Sequence, residues 1–257
     1  MAGRVFEDVI EGFVYREYGR IDDARLLVTG LPDVGLVGSI SAAFIVRELE
    51  MEDAVGIDNP VMLPPVVVVH EGEPKYPIRV YSSRGLSVLL TDIPIPPPAI
   101  APFSASLIQW ARMRRFEMLI GVTGLGHPRR IDLDKPGLHY LAVGEKAKEA
   151  AREVGAEKLG NGMLVGPMAL MLKEAERAGM DMLVLMVDAF MEIPDPEAAA
   201  VAVQAIAKLA GFQVNVDKLL KEAEQLKLRY RDLMKETRNV MAKLGKGYEY
   251  RSPLLFT

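Results

Sequence analysis

The sequence contains no cysteine. That one absence removes disulfides, thiolate metal sites and cysteine nucleophiles together. Asparagine and glutamine are scarce, four of each against 31 basic and 35 acidic residues. This bias fits a thermophile, where labile amides are avoided and ion pairs favoured. No apolar run approaches the roughly eighteen residues needed to span a bilayer. The opening stretch MAGRVFEDVIEGFVYREYG is charged and has no long apolar core, so it is no signal peptide. A cytoplasmic protein with no membrane partner is expected. Long blocks of one charge sign are also missing. With a net charge of −4 and an isoelectric point near 5.6, the chain has no electrostatic footprint for nucleic acid.

What is present is apolar and ordered. Half of the 257 residues are hydrophobic, enough for one well-formed core. Leu26–Leu31 (LLVTGL) reads as a buried strand running into GLPDVGLVG and then an apolar helix from about Leu36 to Leu49. Strand-like runs follow at Ala54–Ile57, Val61–His70, Ile78–Ser83 and Leu86–Thr91, rich in β-branched residues and punctuated by Gly and Pro. Their short links imply antiparallel hairpins. DIPIPPPAIAP, with five prolines, reads as a stiff connection.

Beyond it, helices are expected over Phe103–Arg115, Glu145–Val154, Pro167–Ala178 and Pro196–Ala210, the last capped by Asp195. Strands are expected at Met118–Thr123, His139–Val143 and Met182–Asp188. Strands alternating with helices imply parallel pairing with helices on both faces. The fold class is therefore α/β: a three-layer α/β/α sandwich with a mixed sheet.

The last helix is different. Leu219, Ala223, Leu226, Tyr230, Leu233, Thr237, Val240 and Leu244 follow a 4-3-4-3 spacing, with Lys, Glu and Arg between. The stripe suits either the chain's own core or another subunit. In the second case Leu219, Leu226, Tyr230 and Leu233 form a homo-oligomer interface. Gly245 and Gly247 end the helix, and a tail closes on Leu254, Leu255 and Phe256. The chain thus divides into a core domain at 1–212, a long helix at 213–247 and a flexible tail at 248–257.

Candidate chemistry is sparse. GLPDVGLVG, with Gly30, Gly35 and Gly38, sits where a phosphate loop would. Its spacing is not that of the dinucleotide fingerprint, and Leu36 and Val37 stand where a P-loop has Lys and Ser/Thr. Its glycines instead let strand and helix approach closely. GVTGLGHPRR places His127, Arg129 and Arg130 on a glycine loop after a strand, a place where α/β proteins bind anions; a solvated basic loop is the plainer account. The histidines at 70, 127 and 139 lack metal-ligand spacing. Asp188, Glu192 and Asp195 cluster after the last strand, but Asp195 already has a capping role. No nucleophile, base and orienter assemble, so no catalytic residue, metal or cofactor is expected. The fourteen methionines read as core.

The order of the pieces TGLPDVGLVG, PPVVVVHEGEPKYPIRVY, VTGLG and LVGPMALMLKEAERAGMDMLVLMVD resembles archaeal members of the proteasome assembly chaperone family, over most of residues 20–210. The resemblance implies a phosphorylase/hydrolase-like fold without phosphorylase chemistry. It also implies a non-enzymatic chaperone or adaptor that binds 20S proteasome α-subunits. Some members end in a hydrophobic residue, a tyrosine and a last residue that dock between adjacent α-subunits. Here Leu255, Phe256 and Thr257 take those places, with Phe for Tyr removing a hydroxyl. The alternative is a small-molecule enzyme acting on a nucleoside or nucleotide through the two glycine loops.

Overall fold

The computed structural model describes residues 5–21, 25–83 and 85–245. Ten strands form one mixed sheet and a separate two-stranded hairpin stands outside it. In chain order the strands are Phe6–Ile10 (β1), Phe13–Glu17 (β2), Leu26–Gly30 (β3), Glu52–Asp58 (β4), Val68–His70 (β5), Glu73–Lys75 (β6), Ile78–Ser83 (β7), Leu86–Thr91 (β8), Met118–Gly126 (β9), Leu138–Val143 (β10), Glu157–Lys158 (β11) and Asp181–Ala189 (β12). The helices are Val37–Glu48 (α1), Pro97–Met113 (α2), Glu145–Val154 (α3), Pro167–Ala178 (α4), Pro196–Ala210 (α5), Asp217–Lys221 (α6), Ala223–Arg229 (α7) and Arg231–Leu244 (α8).

The sheet order is β1-β2-β4-β7-β8-β3-β9-β12-β10-β11. β8, β3, β9 and β12 run parallel, and the half from β1 to β7 is antiparallel. Two apolar cores lie on opposite faces. Helices α2 and α4 cover one, where Trp110 is fully buried and stacks on Tyr15 at 5.3 Å. Helices α1, α3 and α5 cover the other. The three-layer sandwich with a mixed sheet follows directly.

Four local expectations are corrected. Val61–Val67 is not strand: Asn59 Oδ1 accepts from the N–H groups of Val61 and Met62 at 3.0 and 2.9 Å, and Pro64 and Pro65 supply no donors. Helix α2 starts inside the proline stretch, because Pro96 and Pro97 sit at the N-cap and first turn, where a missing N–H costs nothing. Strand β10 returns antiparallel to β12. The link from β9 to β10 holds only a single 3₁₀ turn, too little for a crossover to the far end of the sheet. Finally, the hairpin β1–β2 turns on Glu11 and Gly12, both at positive φ; no strand was expected there.

The long helix is also redrawn. It breaks at Glu222 and Tyr230, giving α6, α7 and α8. Leu219 and Leu226 are buried in the core under α1 and α5, and Tyr230 and Leu233 pack partly against it. The side chains expected to face a second subunit are, for Leu219 and Leu226, used within the chain. Burying each is worth roughly 1.5–3 kcal/mol, so the 4-3 stripe is satisfied at home. Tail residues Leu255, Phe256 and Thr257 lie outside the described residues.

Leu226→Ala is therefore expected to lower the unfolding free energy by about 2–4 kcal/mol. Leu228→Ala, two positions away but 71% exposed, should stay within about 0.5 kcal/mol. Urea titrations of both variants check this contrast. Equal effects would mean that the inward stripe is misplaced.

Candidate functional site

Open α/β sheets bind ligands beyond the carboxyl ends of their parallel strands. Here that edge gathers the loops after β3, β9 and β12. The glycine turn after β3 comes first. Every residue from Leu31 to Ile40 is buried. Gly35 adopts a left-handed φ of 61°, as the sharp reversal into α1 requires. At Gly38 a Cβ would run into the Val122 carbonyl oxygen on β9. Gly30 is buried likewise, and the helix N-terminus has no open space before it. Close approach of strand and helix accounts for these glycines.

The second loop, after β9, turns its charges apart. Arg129 is exposed, whereas Arg130 is 3% exposed. Arg130 forks onto Asp195: Nε donates to Oδ2 at 2.9 Å and Nη2 to Oδ1 at 3.1 Å. Nη2 also donates to Glu197 at 2.8 Å, and the guanidinium lies 5.0 Å from the Phe190 ring centre. Burial works against its charge, but the bonds to Glu197 and Asp195 outweigh burial and hold it protonated beyond the ordinary arginine range. Asp195 caps α5 as expected, accepting from Ala198 N at 3.0 Å and from Phe190 N at 3.1 Å.

A third group surrounds Asp188. Its Oδ1 lies 3.2 Å from His139 Nε2, and Gly137 N donates to Oδ2 at 3.2 Å. The other ring nitrogen of His139 lies 3.6 Å from Glu157. Burial raises the Asp188 carboxyl. The His139 hydrogen bond and charge, the field of His127 and the Gly137 N–H together outweigh it, so the carboxyl sits below its ordinary 3.8. Asp33, 4% exposed, accepts from Thr123 Oγ1 at 2.8 Å.

Backbone bonds sew the three loops together: His127 N to Ala189 O, Asp188 N to Gly137 O, and Asp195 N to Gly35 O at 2.8 Å. Helix α8 then crosses this edge. Its first turns face the Glu192–Pro194 loop, and Leu244 reaches the core under α2. The structure brings Gly35, Asp195 and Arg130 into one assembly and leaves Arg129 outside it. Thr123, Asp33 and Glu157 were not singled out in the sequence, since contacts across 90 residues leave no local signal. Among the described residues no group of three His, Asp or Glu is placed to hold a metal ion, and no helix is long and apolar enough to cross a membrane. The arrangement locks the three loops together.

The sequence profile of the PAC2 family matches residues 27–234, well over half of the chain. The chain belongs to the PAC2 family. Among solved structures of this fold, Pyrococcus furiosus PbaA, an archaeal homolog of proteasome-assembly chaperone, is similar with a TM-score of 0.80 and 28% identity, covering 92% of this chain and 99% of that one. Pyrococcus furiosus PbaB, an archaeal proteasome activator, shares the fold with a TM-score of 0.72 at 19% identity, over 87% of this chain and 99% of that one. An uncharacterized protein of Methanocaldococcus jannaschii is 22% identical over 243 residues, 93% of this chain and 98% of that one. The PAC2 match spans the glycine turn, both buried ion clusters, helices α6 and α7 and the first turn of α8.

Two outcomes follow for the edge. Arg130→Met leaves Asp195 buried without its cation and should cost about 3–5 kcal/mol. Glu197→Gln, at a carboxylate 63% exposed, should cost under about 1 kcal/mol; chemical denaturation measures both. A carboxyl held below its unfolded value contributes stability that is full above that value and lost as the pH falls through the lower native one. The stability gap between the parent and Asp188→Asn should accordingly be widest near neutral pH and shrink below pH 3.8. A gap that is constant with pH would show that Asp188 gains nothing from its charge.

Proposed function

We propose that this chain is a non-enzymatic proteasome assembly chaperone or adaptor that binds 20S proteasome α-subunits through its C-terminal tail. The observation that carries the reading is the similarity to PbaA along nearly the whole of both chains at 28% identity. The buried glycine turn supports it, since Leu31–Ile40 leaves no open space before α1, the place where such sheets hold phosphates. The same filling counts against a nucleoside-binding enzyme built on Gly30, Gly35, Gly38, His127 and Arg129.

In this reading Leu255 and Phe256 enter a groove between adjacent α-subunits, with Thr257 following. Burying two such side chains supplies roughly 3–6 kcal/mol before the cost of ordering the tail. Pro253 lowers that cost by restricting the free chain. One weak tail gains from repetition, so a homo-oligomer presenting several tails fits the function. Leu219 and Leu226 are buried at home, so its interface draws on outward residues.

Deleting Leu255–Thr257 is expected to abolish binding to purified 20S proteasome, read by surface plasmon resonance, with little change in melting temperature. Phe256→Tyr should preserve or tighten binding by up to about tenfold, through one added hydrogen bond worth about 0.5–1.5 kcal/mol. Undiminished binding by the deleted chain would overturn the tail reading.

A further inference from the structure

Of the four asparagines in the sequence, Asn161 alone precedes a glycine. The Asn161–Gly162 step lies on the loop between β11 and α4. Both ends of that loop are anchored. Leu159 is buried and its N–H donates to Tyr140 O at 3.0 Å, and Leu164 packs against the core under α2 and α4. The middle stands clear of the body. Gly160, Asn161 and Gly162 are exposed, Met163 is 45% exposed, and a Cβ built on Gly160 would meet nothing within 4 Å. Among the described residues, neither the Asn161 side chain nor the Gly162 N–H has a hydrogen-bond partner.

An asparagine side chain can cyclise onto the main chain when the next residue's nitrogen reaches its amide carbon. The next residue must carry an N–H, that N–H must be free, and no side chain may crowd the approach. Glycine, with no Cβ and a permissive backbone, meets the last condition best. Each of the other three asparagines fails at least one. Asn59 is followed by Pro60, which has no N–H, and its Oδ1 already accepts from Val61 N and Met62 N. Asn215 Oδ1 accepts from Asp217 N at 2.9 Å, and the β-branched Val216 follows it. Asn239 lies inside α8, where the Val240 N–H is committed to the helix.

We propose that Asn161 is a site of self-deamidation in the folded protein. The deprotonated Gly162 nitrogen attacks Asn161 Cγ, the N–Cγ bond forms, the bond from Cγ to the amide nitrogen breaks, and ammonia leaves with the proton. Water then opens either C–N bond of the five-membered imide. Opening at Cγ gives aspartate; opening at the main-chain carbonyl gives isoaspartate, with the chain running through the side-chain carbon. The net reaction consumes a water and releases an ammonia, with no oxidant or reductant. The product carries one more negative charge on a chain whose net charge is −4. The anchors at Leu159 and Leu164 lie outside the altered step, so the fold is retained. The isoaspartate form is a substrate for a carboxyl methyltransferase that recognises this linkage. None of this depends on the proteasome reading.

The test incubates the full chain in mildly alkaline buffer and maps its peptides by mass spectrometry, with isoaspartyl methyltransferase and labelled S-adenosylmethionine as a second readout. The peptide carrying Asn161 should convert with first-order kinetics and take up methyl label, while peptides carrying Asn59, Asn215 and Asn239 stay unchanged. Gly162→Val should slow conversion by about tenfold or more, and Asn161→Gln should remove the label. Circular dichroism should be the same for both variants and for the converted chain. A parallel incubation in urea measures the reaction in the unfolded chain. The proposal fails if Asn161 does not convert in the folded protein, or converts no faster than Asn215. It also fails if Gly162→Val leaves the rate unchanged, or if urea speeds Asn161 by more than about tenfold, since the folded loop would then be protecting it.

Discussion

One carboxylate ties the carboxyl edge of the sheet together. Asp195, 1% exposed, accepts from Ala198 N, Phe190 N, Arg130 Nε and Arg130 Nη2, while its own N–H is held by Gly35 O. A buried charge persists only when its lone pairs are met. Meeting them here fixes three segments at once, the start of α5, the loop after β12 and the loop after β9, and the Asp195 N–H adds the turn after β3. The usual helix cap satisfies one donor of one helix. This one also sets the distance between three loops, and the buried glycine turn depends on that spacing.

Closure has a functional consequence. A fold of this class keeps its ligands in the crevice at the ends of parallel strands, but the fold alone does not dictate that use. Leu31–Ile40 is buried in that crevice, and α8 lies across it from the Glu192–Pro194 loop to the α2 layer. Outside the crevice, Val61, Val66, Val67 and Val69 stand exposed on the loop and hairpin that follow β4 in the chain.

The sequence carried the interior well and the edge poorly. Strands such as Ile78–Ser83 and Leu86–Thr91 and helices Glu145–Val154, Pro167–Ala178 and Pro196–Ala210 appear with the ends read from the sequence, because their periodicity and caps are local. Val61–Val67 misled for a physical reason: β-branched content favours a strand, but the turn imposed by Asn59 and the two prolines overrode it. Asp195 was legible as a cap, but its pairing with Arg130 was not, since nothing short-range links residues 65 apart. The same holds for Asp33 with Thr123 and for His139 with Asp188. Tertiary proximity of charges, unlike amphipathic period, has no spacing to read.

The 4-3 stripe of the C-terminal helices shows why a repeat alone does not name its partner. A helix on a globular core and a helix in a coiled coil both need an apolar seam; over a few turns the two periods scarcely differ. Burial decides between them. Leu219, Leu226 and Thr237 are inside, so these positions of the seam belong to the domain, and the helix breaks at Glu222 and Tyr230. The outward side carries Leu220, 40% exposed, and Leu228, 71% exposed. A second molecule that met these helices would find Leu220 and Leu228 on that outward side and not the buried Leu219 and Leu226.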